Sequence, residues 1–153
     1  MVFPRGKYPW IVLATGGTWI YCLEGALIRM ELTRTEKSYI WLDSFPLSDA
    51  EKRKLLSSAE SAVGLLKNFS SFKPLLMEFG KESVYNSMSE SLSDGGRYFT
   101  QLIENFEKQG ITPVAYGSRY YPKAWLDLTD APLVLYAKGD LSLLETRLFC
   151  VVG

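Results

Sequence analysis

Apolar residues recur at helical spacing through much of residues 30 to 110, then crowd into short unbroken runs toward the C-terminus. Thr33-x-x-Glu36 and Ser48-x-x-Glu51 have the spacing of a capping box, in which hydroxyl and carboxylate each satisfy a free amide at a helix start. Tyr39, Leu42 and Phe45 fall on one face of the first predicted helix, and Leu55, Leu56, Ala59 and Val63 on one face of the second. Pro46 ends the first, because it offers no amide and restrains the residue before it. Lys73 to Phe79 is predicted as a short apolar turn closed by Gly80, and Val84 to Leu92 as another short helix. Phe99, Leu102, Ile103 and Phe106 give the strongest helical pattern, which Gly110 closes. Four or five short helices are therefore expected before residue 111.

Beyond that point the pattern becomes extended over Ile111 to Tyr116, Val134 to Tyr136 and Leu148 to Val152. The last run, Leu148-Phe149-Cys150-Val151-Val152, is too apolar for a half-exposed strand and suits a parallel sheet covered on both faces. Gly153 then stands where the first strand-to-helix turn of such a sheet would open, a place that receives anions on bare backbone amides. On this reading the chain stops where a ligand-binding turn begins.

Residues 1 to 29 differ from the rest. Trp10 to Ile28 holds one charge, Glu24, yet Gly16-Gly17 and Gly25 interrupt it, so it makes neither a good membrane span nor a good signal sequence. The alternation in IVLATGGTWIYCL around Gly16-Gly17 fits a hairpin. The shift in composition leads us to expect translation to begin at Met30. The expected division is residues 1–29 as an uncertain extension, 30–110 as a helical module and 111–153 as the start of an α/β sheet.

Composition narrows the chemistry. With 47% hydrophobic and 22% charged residues the chain of 153 residues reads as globular. Lys+Arg and Asp+Glu both number 17, so no global positive field marks a nucleic-acid binder, and weak DNA binding by this portion alone is expected. Without histidine, the commonest general base and zinc ligand is missing. Cys22 and Cys150 share no metal or disulfide spacing and fit a reducing cytoplasm. No catalytic residue, metal or cofactor is assigned.

Several clusters invite a functional reading beside a plainer one. Lys138-Gly139-Asp140 is either a phosphate-touching loop or a polar turn in which glycine supplies the unusual backbone angle. Tyr116, Tyr120 and Tyr121 with Arg119 have the makings of a base-stacking platform, although Tyr121-Pro122 fits a ring packed under a rigid turn better. Lys52-Arg53-Lys54 is predicted as a solvated helix face, with docking of a DNA backbone or partner protein as its alternative. Glu78, Glu82 and Glu90 are assigned to the surface.

One ordered set of residues points to a family. Tyr121-Pro122, Leu126, Asp130 with Pro132, Val134-Leu135, Tyr136, Lys138-Gly139, Leu141 with Leu143-Leu144, and Val151-Val152-Gly153 follow a family pattern without insertion or deletion. In this the chain resembles the DprA/Smf family of DNA-processing proteins, tightly over roughly its last quarter and loosely back to about residue 31. The resemblance implies an N-terminal SAM-like helical module followed by the first strands of a truncated Rossmann-like parallel sheet, α/β overall. It implies a non-enzymatic, cytoplasmic protein that binds single-stranded DNA, loads RecA in natural transformation and recombination, and forms a homodimer through regions not present here. It also implies Gly153 as a nucleic-acid-binding position, and Lys138 joins it as the neighbouring candidate. Two rival readings are a Rossmann-like nucleotide-binding enzyme and a stand-alone helical protein-interaction module.

Overall fold

The computed structural model describes residues 12–15, 18–21 and 32–146. Its first three helices begin where hydroxyl side chains cap them. Thr33 opens α1 (Arg34–Asp43) and Ser48 opens α2 (Asp49–Ser58), each through a complete capping box. The Glu51 amide donates to Ser48 Oγ at 3.3 Å, while the Ser48 amide donates back to Glu51 Oε2 at 2.7 Å.

The expected second helix is broken. Glu60 takes a left-handed backbone with φ 60°, Ser61 caps a new start, and α3 (Ala62–Lys67) follows. A short 3-10 helix at Phe69–Phe72 leads into α4 (Lys73–Glu78), so the segment expected as a turn is a helix with proline in its first turn, where no amide is needed. Then come α5 (Glu82–Ser93) and α6 (Arg97–Lys108), the latter closed by Gly110 at φ 63°.

Four strands complete the described fold: β1 (Val12–Thr15), β2 (Thr18–Tyr21), β3 (Thr112–Ala115) and β4 (Val134–Lys138). They lie in the order β2-β1-β4-β3, and every pair is antiparallel. The hairpin expected around Gly16-Gly17 is present as β1 and β2 and joins the sheet through β4. The parallel, Rossmann-like sheet that the resemblance implies is overturned by this pairing. A parallel pair needs a crossover, usually helical, to return the chain to the same end of the sheet. Here residues 116–133 turn back instead, with only a short 3-10 helix at Lys123–Trp125, and the Tyr116 amide donates to the Leu133 carbonyl at 2.8 Å to prolong the β3–β4 ladder. The strand expected at Leu148 to Val152, like Gly153, Cys22 and Cys150, lies outside the described residues.

The register explains a proline inside β3. Because the Tyr116 amide bonds to Leu133, antiparallel alternation turns the nitrogens of Pro113 and Ala115 away from β4. Pro113 therefore costs the β3–β4 ladder no hydrogen bond.

Side chains of β3 and β4 are buried on both faces. Ala115 and Val134, with Tyr136 against them, join a cluster built mainly from helices, including Ile40, Leu42, Leu55, Leu76 and Met88. Val114, Leu135 and Ala137 point the other way into a second cluster with Tyr121, Leu141 and Leu144. Helical residues before position 110 and strand residues after position 111 thus share one hydrophobic cluster.

Candidate nucleic-acid interface

Lys138 is the last residue of β4 and its side chain is exposed. Gly139 follows with φ 108°, an angle that suits glycine, and lets the chain leave the strand sharply. Asp140 is committed to structure. Its carboxylate accepts from the Ser142 amide at 2.9 Å and caps the 3-10 helix Leu141–Glu145, and hydrogen bonding from the Ser142 hydroxyl and amide holds it below the ordinary carboxylate range. The turn therefore offers one cation on a rigid stem. Lys138 forms no salt bridge among the described residues.

The tyrosines divide into packed and available. Tyr121 is 3% exposed and donates to the Pro132 carbonyl at 2.7 Å, while burial pushes its phenol up to about 12. Tyr116 meets Tyr121 edge-on at 5.2 Å, lies 6.0 Å from Tyr39, and donates to the Leu126 carbonyl at 3.0 Å. Neither ring is free to stack on a base. Tyr120 is half-buried, with the Arg119 guanidinium 5.2 Å above its ring.

These two features do not meet on one face of the sheet. Tyr120 packs against the cluster that holds Leu135 and Ala137, whereas strand alternation places Lys138 on the side of Tyr136. The Lys52-Arg53-Lys54 run is a solvated face only in part: Lys52 is buried and Arg53 half-buried with internal partners, whereas Lys54 is exposed and pairs at the surface. Lys52 Nζ donates to Asp43 Oδ1 at 2.7 Å, Arg53 Nη2 to the Ala131 carbonyl at 2.9 Å, and Lys54 Nζ to Glu78 Oε1 at 3.0 Å. Glu78 is thereby occupied too.

The sequence did not single out Asp43. Its carboxylate accepts from Lys52 through one oxygen and from the Tyr136 hydroxyl, at 2.7 Å, through the other. Its one signal is position: an acid at the C-terminal end of a helix sits against the negative end of the helix dipole and needs a compensating partner. Burial, then the Asp43 charge, raises the Tyr136 phenol far above its ordinary value.

Among the described residues no helix is long and apolar enough to cross a membrane, and no group of His, Cys, Asp and Glu is arranged to hold a metal ion. Compared with known protein families, curated proteins and solved structures, the chain finds no match.

Proposed function

We propose that this chain handles single-stranded DNA as a non-enzymatic, DprA/Smf-like protein of the cytoplasm, working with RecA and as a homodimer. One observation carries the proposal. Tyr121, Leu135, Leu141 and Leu144, which belong to the motif set spread along the sequence, converge in one hydrophobic cluster, and Tyr121 is hydrogen-bonded to the carbonyl of Pro132. Part of the motif is thus brought together on one face of β4, while its Val134 and Tyr136 face the helical cluster, and the Lys138-Gly139 turn leaves an exposed end of β4.

In this reading Lys138 supplies a phosphate contact and Gly153 a close backbone approach, although Gly153 lies outside the described residues. The balanced charge keeps affinity modest, so the test belongs at low ionic strength. Anisotropy of a fluorescent oligothymidine should report binding that exceeds binding to duplex of equal length and falls steeply with salt. Lys138→Glu should weaken it several-fold without changing the circular dichroism spectrum. Equal binding to single strand and duplex, or indifference to Lys138→Glu, would reject the proposal.

A further inference from the structure

The C-terminal end of α1 is a junction of four elements. Asp43 receives Lys52 from α2 and Tyr136 from β4, and next to it Ser44 Oγ accepts from the Tyr98 hydroxyl of α6 at 3.0 Å. Rings reinforce the same place: Phe45 stacks on Tyr98 and Phe106 tilts against Tyr136, both with centroids 5.3 Å apart. The Lys52 and Asp43 side chains are only 9% and 16% exposed, so the ion pair is largely withdrawn from water. A charged pair in such a place is costly unless its remaining hydrogen-bonding capacity is met, and the Tyr136 hydroxyl meets it.

The two hydrophobic clusters differ in how they are built. Helices supply most of the larger one, while the smaller lies on the far face of β3 and β4 and belongs to the strands and the turns after them. Polar bridges from the helices to β4 and to the turn before it are Tyr136 to Asp43 and Arg53 to the Ala131 carbonyl. Each layer thus has an apolar cluster of its own in addition to what it shares with the other.

We infer that Asp43 is a latch whose bond to Tyr136 reinforces the apolar contact between the β3–β4 layer and the helices, so that opening it loosens the strands as a unit while the helices stay packed. The latch has two graded settings. Tyr136→Phe removes the phenolic hydroxyl alone and leaves the Asp43–Lys52 pair intact. Asp43→Asn removes the negative charge as well and leaves the Lys52 ammonium without its counter-ion.

Hydrogen exchange of the full chain, read by mass spectrometry, tests this. In Tyr136→Phe, amides of residues 112–116 and 133–138 should exchange about ten-fold faster, while those of α2 and α5 stay within about two-fold of wild type. Asp43→Asn should enlarge the strand release and, by stripping Lys52 of its counter-ion, also speed exchange in α2. If Asp43→Asn unfolds the whole chain, Tyr136→Phe alone decides. Faster exchange spread evenly over helices and strands, or no change in the strands of Tyr136→Phe, would overturn the latch.

Discussion

Gly64 is where the absence of one methyl group decides a helix boundary. A Cβ placed on it would sit 2.6 Å from the Ala59 carbonyl oxygen and 3.0 Å from Ser61 Oγ, closer than packed atoms tolerate. The close approach exists because the chain breaks at Glu60 and restarts under the Ser61 cap, bringing the start of α3 onto the end of α2. Alanine ordinarily stabilises a helix relative to glycine, by up to about 1 kcal/mol. Here overpacking against backbone should reverse the sign, and Gly64→Ala is expected to lower stability by roughly 1–3 kcal/mol in urea denaturation. An unchanged or raised midpoint would show that α2 and α3 separate at little cost.

Among the elements, the capping boxes were the most legible part of the sequence. They work through neighbours three residues apart, so no knowledge of the fold is needed to see them, and both are present. Ser48→Ala should cost about 1 kcal/mol at neutral pH, measured by chemical denaturation. The Glu51 carboxyl is held below its ordinary value, chiefly by the Ser48 amide. Its contribution is therefore present at neutral pH and fades as pH falls through its folded value, an acid dependence that Glu51→Gln should remove. Boundaries set by tertiary contact were not legible. Glu60 and Ser61 are compatible with a continuing helix in sequence, yet Glu60 turns left-handed and Ser61 caps a new start where α3 packs on α2. Strand direction was misread for a related reason. The expectation of a parallel sheet rested on the apolar run Leu148 to Val152; the described run Val134-Leu135 is likewise buried on both faces, yet turns and a 3-10 helix cover the second face of an antiparallel pair. The basic run was legible only in part: Lys54 is exposed as a solvated face requires, whereas Lys52 and Arg53 revealed their internal partners only once Asp43 and Ala131 were placed beside them.

For the whole molecule, two buried phenols set a limit on the alkaline side. Tyr121 and Tyr136 both hold their protons more tightly when folded than in an unfolded chain, where phenols ionise near 10. Below pH 10 both states keep the proton and stability is complete. As pH rises from 10 through about 12, the unfolded chain gains by releasing protons that the fold retains, so stability must fall. Denaturation midpoints from pH 8 to pH 12 should show this decline, and Tyr121→Phe should flatten it; a midpoint that stays constant to pH 12 would contradict the buried placement of these hydroxyls. The double covering of β3 and β4 also limits how anything can touch them. Among the described residues their flat surfaces are already spent on the protein's own interior, so a visiting molecule meets them at the rim, where the backbone turns and the Lys138 side chain is exposed. Recognition by this part of the molecule is accordingly a property of its corners, and evolution can retune those corners without disturbing the layers behind them.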